Sequence, residues 1–122
     1  MKFAFISIFP ELLEAAVDFG VVGRALRDEL ATMACFNPRD HAVDRHGSVD
    51  DRPYGGGPGM VMRPEPIVAS IDEARRFAGD DAPVLMLSPQ GEPFSRNRAA
   101  DLFLLSGLIL VIVCFECRVE CV

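Results

Sequence analysis

Apolar runs and amphipathic stretches alternate along the chain, and their periods predict its elements. Residues 2–9 read K-F-A-F-I-S-I-F, apolar at nearly every position with aromatic and β-branched members, as in a strand buried on both faces. Pro10 and Glu11 suit a first helical turn, where a missing N–H is harmless and an acid meets the positive end of the helix dipole. Leu12, Leu13, Ala16 and Val17 then form an apolar stripe, and Gly20 is a natural stop. The spacing predicts a second helix over 23–32 that buries Ala25, Leu26 and Leu30.

Between residues 37 and 63 the periodicity disappears. Pro38, Pro53 and Pro58, with Gly47, Gly55, Gly56, Gly57 and Gly59, leave no room for a long regular element. Loops of this length are uncommon in compact domains and are usually functional or disordered. Arg39, Arg45, Arg52 and Arg63 nearly balance Asp40, Asp44, Asp50 and Asp51, so the loop is polar and not a basic tail. It also carries His41 and His46, and in such a setting a hydrogen-bonded or solvated imidazole is the usual case.

Periodicity returns beyond the loop. A helix is expected over 65–77 with Ile67, Ile71, Ala74 and Phe77 at helical spacing, and a short buried strand over 84–87. A further helix over 95–105 has Ser95 as its cap, and a β-branched strand follows over 108–114. Strands alternating with helices predict one α/β domain with a mainly parallel sheet.

Composition narrows the classes. The 122 residues are 50% hydrophobic and 25% charged, which suits one globular domain and excludes wholesale disorder. A net charge of −6 argues against nucleic-acid binding through the overall field and leaves room only for a local basic patch. Lys2 is the single lysine. The longest apolar stretch, 102–115, is broken at Ser106 and Gly107 and falls short of the ~20 residues of a membrane-spanning helix. The apolar start ends at Pro10 and Glu11 without a small-residue cleavage site, so a cytoplasmic protein is expected. Cys114, Cys117 and Cys121 offer three thiolates where structural zinc takes four ligands, and Cys35 or a second chain would have to supply the last. Ordinary thiols are the simpler reading, and no metal site is expected.

Two segments hold candidate chemistry. Asp50-Asp51-Arg52-Pro53-Tyr54-Gly55-Gly56-Gly57-Pro58-Gly59-Met60 is rich in glycines that let a backbone approach a ligand. It lacks the Gly-Lys-Ser/Thr ending of a phosphate loop and has Met62 where a dinucleotide fingerprint needs glycine. Leu87-Ser88-Pro89-Gln90-Gly91 follows a strand directly, and open α/β sheets bind ligands at the carboxyl ends of their strands. Each segment alone also reads as an ordinary turn.

Taken together they are specific. Phe5–Glu11 in the form F-I-S-I-F-P-E, then G-V-V-G-R-A at 20–25, Pro38-Arg39-Asp40, Asp44-Arg45-His46, the 50–60 run and 87–91 occur in a fixed order. Over residues 1–111 the chain resembles the bacterial tRNA (guanine-N1)-methyltransferases that modify guanine 37, beside the anticodon. The resemblance implies a SPOUT-type α/β domain with a trefoil knot, a homodimer, S-adenosylmethionine as methyl donor, a magnesium requirement and the tRNA anticodon stem-loop as substrate. By position, Leu87, Ser88, Pro89 and Gly91 would belong to the first cofactor loop and Glu116 to a later one. Asp50, Pro58 and Gly59 would belong to the loop that forms the guanine pocket across the dimer. The family's catalytic base and its arginine partner would lie beyond Val122, which leaves Asp50, Glu116 and Arg52 as the charged candidates within the chain.

Residues 112–122 depart from the family. Two glycines of its pattern are replaced by Val113 and Cys117, and the expectation is a single partial SPOUT domain over 1–122, cut before the knot is completed. Such a chain would be a weakly active or inactive methyltransferase, and because the resemblance puts 84–87 and 108–114 in the middle of the family's sheet, the apolar faces of both strands would be left exposed. Two other classes stay open: a non-catalytic fragment that dimerises or binds RNA through 37–63, and a small α/β nucleotide-binding protein.

Overall fold

In a computed structural model, which describes residues 1–57 and 59–112, the elements alternate as an α/β chain should. Strand β1 (Lys2–Ile6) leads into helices α1 (Pro10–Val17) and α2 (Gly20–Arg27), then strand β2 (Thr32–Phe36). A 3-10 turn (Pro38–His41) and two short strands, β3 (Asp50–Asp51) and β4 (Val61–Met62), punctuate the long loop. Helix α3 (Pro64–Ala78), strand β5 (Val84–Leu87), helix α4 (Arg96–Phe103) and strand β6 (Gly107–Ile112) complete the described chain.

The main sheet has the order β2-β1-β6-β5, and every pairing in it is parallel. β1 is bonded on both edges, with Phe3 opposite Met33 on one side and Leu108 on the other. Parallel strands alternate their side chains between two covered faces. On one face Ala4, Ile6, Ile109 and Val111 meet Ala74 and Ala78 of α3, and Ala82 closes the cluster. Phe36, Ile67, Ile71, Phe77 and Val84 pack around it. Small alanines on α3 let the helix come close enough to the sheet to exclude water. Lys2 sits over the Phe77 ring, its Nζ 5.5 Å from the centroid, which gives the single lysine a packing role.

Gly107 opens β6 hard against the end of α3. A Cβ at this position would fall inside contact distance of the Ala78 carbonyl oxygen, so the approach demands glycine. The opposite face of the sheet is less covered. Phe3, Leu85, Leu108 and Leu110 line an open apolar cleft of about 520 Å³ together with Phe94, Leu102 and Phe103 from the α4 side. Phe103 and Leu104 are 77% and 83% exposed.

Four expectations change. The second helix starts at Gly20 and stops at Arg27, and Thr32, expected at its end, instead opens strand β2. Leu30 is 71% exposed, because the turn after Arg27 carries it away from the helix face. Leu12 and Ala16 are also exposed, since α1 covers little beyond β2 and half-buries only Leu13 and Val17. Of the two later strands only β6 is central; it is covered by β1, β5 and α3, whereas β5 is an edge among the described residues, with Leu87 52% exposed. No helix among the described residues is long and apolar enough to cross a membrane.

Replacing Gly107 by Ala forces β6 away from Ala78 and is expected to destabilise the fold by about 1–3 kcal/mol, as overpacking does. Gly57→Ala, where the added carbon meets only a Pro53 side-chain atom at 4.0 Å, serves as the neutral control. Urea titration of both variants checks this, and equal midpoints would refute it.

Candidate functional site

β5 ends at Leu87, and the next four residues turn sharply. The Gly91 amide donates to the Ser88 carbonyl at 3.0 Å, and the Gln90 amide donates to Ser88 Oγ at 3.2 Å. Ser, Pro and Gly stand at the first, second and fourth places of this turn, where a hydroxyl acceptor, a fixed φ and a small residue are favoured. A Cβ on Gly91 would come 3.2 Å from the Ser88 oxygen, so the turn is drawn tight around bare backbone. Leu87, Ser88, Pro89 and Gly91 all line one cleft of about 780 Å³ at the carboxyl end of the strand.

The other wall of that cleft is α4. Ser95 caps the helix by accepting from the Arg98 amide at 3.2 Å. Asn97, Arg98 and Asp101 line the cleft beside the turn. These three were not singled out from the sequence. The signal was present, since Arg98 and Asp101 lie three residues apart on a capped helix whose Ala99 and Phe103 face the apolar cleft instead.

The long loop is built separately. Asn37 Oδ1 accepts from the Arg39 amide at 3.1 Å and starts the 3-10 turn, in which Pro38 is fully buried. His41 Nε2 lies 2.9 Å from Glu73 Oε2 on α3, so this histidine is the hydrogen-bonded kind, whereas His46 is exposed. Asp44 Oδ1 accepts from the Ser48 amide at 2.8 Å. Val49 is 3% exposed, and its carbonyl receives the Arg63 amide at 2.7 Å, which closes the loop's base. Antiparallel pairing of Asp50 with Met62 and Asp51 with Val61 extends that closure.

Above the base the loop is open. Asp50, Arg52, Gly59 and Tyr54 are exposed, and the Arg52 amide donates to Asp51 Oδ1 at 2.7 Å. Gly55, Gly56 and Gly59 have φ of 87°, 74° and 99°, a left-handed backbone that explains the glycines in this run. Pro58 and Glu116 lie outside the described residues, as do Val113, Cys114, Cys117 and Cys121. The structure therefore gathers the four residues of the 87–91 segment into one cleft and keeps Asp50 and Gly59 apart from it. The cleft lining runs from Leu85 to Leu102 and includes no residue of the loop.

Both the sequence and the overall fold match those of known proteins. The family model described as tRNA (Guanine-1)-methyltransferase TrmD matches residues 1–120. The chain belongs to this family. A tRNA (guanine-N(1)-)-methyltransferase of Francisella tularensis subsp. holarctica is 48% identical over 111 residues, which cover 91% of the chain and 44% of the relative. The similarly named protein of Pseudoalteromonas translucida is 49% identical over 106 residues, 87% of the chain and 42% of the relative. The crystal structure of tRNA (m1G37) methyltransferase from Aquifex aeolicus superposes with a TM-score of 0.81 at 29% identity, over 91% of the chain and 50% of that protein. The chain thus spans less than half the length of the curated relatives it matches.

The electrostatics of the described groups are plain. The Ser48 hydroxyl and amide both bond to the Asp44 carboxyl and hold it below the usual Asp range. Burial, helped by Glu14, pushes the Cys35 thiol up, so at neutral pH it is a protonated, poor nucleophile. Among the described residues no three His, Cys, Asp or Glu side chains converge as metal ligands.

Because the folded Asp44 carboxyl sits below its unfolded value, the 44–48 turn keeps its full stabilisation above the ordinary Asp value of about 3.9 and loses it as pH falls through the depressed value. A carboxyl-detected NMR titration is expected to find Asp44 titrating below that value, with the Ser48 amide shift following it. Titration at the ordinary value, or an unresponsive amide, would contradict the hydrogen bond.

Proposed function

We propose that the chain forms the amino-terminal part of a tRNA (guanine37-N1)-methyltransferase, a cytoplasmic homodimer whose SPOUT domain carries a trefoil knot. The observation that carries this reading is the family match over 1–120 together with the tight 88–91 turn at the end of a parallel strand. Residues 1–122 are read as one partial domain, with 37–63 as its functional loop and 112–122 as its divergent end.

S-adenosylmethionine fits the cleft at β5. The 88–91 turn is a cradle of bare backbone that a Cβ would crowd, and the cleft is large enough for a nucleoside with an amino-acid tail. Leu87, Ser88, Pro89 and Gly91 would hold it, with Glu116 contributing from the later loop. When bound it supplies a methyl group on a sulfonium centre. Magnesium is the second group the family implies; the described residues bring no ligand set together for it, and no step is assigned to the ion.

The protein's own part is recognition and orientation. Guanine N1 must lose its proton as it attacks, so a positioned base and a donor toward the base's O6 are needed. Asp50, Pro58 and Gly59 are read as substrate-loop residues, with the guanidinium of Arg52 beside them. Because the loop does not line the cleft of its own chain, the substrate loop of one copy is read as serving the cleft of the other. The carboxylate that takes the N1 proton is read as lying in the part of the family's length that this chain does not span.

A second reading is favoured by one observation, the apolar cleft under α4. A fragment that buries this surface against another protein, or binds RNA without turnover, would explain the exposed Phe94, Leu87 and Phe103 equally well.

Three outcomes are expected. The 122-residue chain should bind S-adenosylmethionine no more tightly than about millimolar by calorimetry, roughly 4 kcal/mol, since Val113 and Cys117 stand where the family has glycines. It should give no detectable methylation of a tRNA carrying guanine at positions 36 and 37, because loss of a positioned base alone costs about 10²–10⁴-fold. Residues 1–111 joined to the remaining part of the Francisella tularensis relative should methylate that tRNA. A well-folded chimera without activity would overturn the reading, and a micromolar constant for the chain alone would show that its cleft is complete.

A further inference from the structure

The 37–63 loop packs on α3 through its 3-10 turn, in which Pro38 is fully buried, and the last residue of that turn adds a side-chain bridge. His41 Nε2 and Glu73 Oε2 lie 2.9 Å apart, with the two side chains 27% and 46% exposed. His41 ends the 3-10 turn, while Glu73 stands on α3 next to fully buried Ala74, so the acceptor is fixed to the core. The ion pair of Arg63 with Glu65, at 4.0 Å, joins residues two apart in sequence and bridges nothing. At the far end the loop is held by buried Val49, whose carbonyl accepts from the Arg63 amide, and by the pairing of β3 with β4.

We propose that His41 and Glu73 are positioning residues: their bridge fixes the angle at which residues 42–51 leave the body of the domain, and so where Asp50 and Gly59 are presented to an RNA substrate. The proposal rests on the reading of the loop as the RNA-binding segment. Two observations set its character. The bridge is partly solvated, so it contributes little to global stability and acts on the segment it tethers. The segment beyond it holds its own turn through Asp44 and Ser48 and lies between the bridge and buried Val49.

Hydrogen exchange on the 122-residue chain reads the tether directly. His41→Ala and Glu73→Ala are each expected to raise exchange of the 42–51 amides about three- to fivefold, the effect of losing one partly exposed polar pair, while the β1 and β6 amides stay unchanged. The double variant should exchange no faster than either single one, because both remove the same bond. His41→Gln keeps an N–H donor and should recover part of the protection, which a merely space-filling role would not predict. Binding of a fluorescent anticodon stem-loop RNA should weaken by the same three- to fivefold factor in the alanine variants and recover with His41→Gln.

Unchanged loop exchange, additive single effects or no recovery by glutamine would each overturn the proposal. So would faster loop exchange with unaltered RNA affinity, since the bridge would then not position the loop for substrate. If the unsubstituted chain binds no RNA, the loop's assignment to RNA falls; exchange still reports whether the bridge holds, so that failure is told apart from failure of the tether.

Discussion

Strand β1 must satisfy both of its hydrogen-bonding edges, and the rest of the fold follows from how it does so. In a parallel sheet neither neighbour can be a hairpin partner, because parallel strands need a crossover connection. One edge is taken by β2, reached through α1 and α2, and the other by β6, reached only after the whole remaining described chain. The pairing of Lys2–Ile6 with Gly107–Val111 therefore closes the structure end to end, and everything between is a crossover that has to find cover on one face or the other.

Helix α3 solves that problem on one face. Its Ala74 and Ala78 admit the sheet closely, and Gly107 removes the last obstacle where β6 begins. The same helix carries Glu73 outward, so the element that seals the core also anchors the long loop. Placement of the two chemical segments is a consequence. The 88–91 turn lies at the carboxyl end of β5 because a parallel sheet sends all its strand ends the same way. The long loop stands on a base closed by β3 and β4, and none of its described residues lines the cleft at that turn.

On the other face α4 splits the surface in two. Its Arg98 and Asp101 turn toward the polar cleft with the 88–91 backbone, while Ala99 and Phe103 turn toward the apolar one. One cleft offers polar backbone together with charged side chains, and the other is almost wholly apolar.

Periodicity alone determined β1, α3, β5, α4 with its Ser95 cap, and β6, because each has a strong apolar period or a capping residue that acts locally. It also determined that 37–63 would hold no long element, since prolines and glycines forbid one whatever surrounds them. Residues 32–36 were illegible: Thr-Met-Ala-Cys-Phe has no alternation and suits a helix as well as a strand, and only the free edge of β1 makes it β2. Exposure of Leu12, Leu30 and Leu87 was equally hidden, because an apolar stripe says what a helix or strand can bury and not whether a neighbour is there to cover it. The candidate residues at 87–91 and 50–60 were readable from local chemistry and resemblance. Their separation, the added polar wall of Asn97, Arg98 and Asp101, and the bridge from His41 to Glu73 were decided only by the tertiary structure, since each joins elements that the sequence leaves free to sit anywhere.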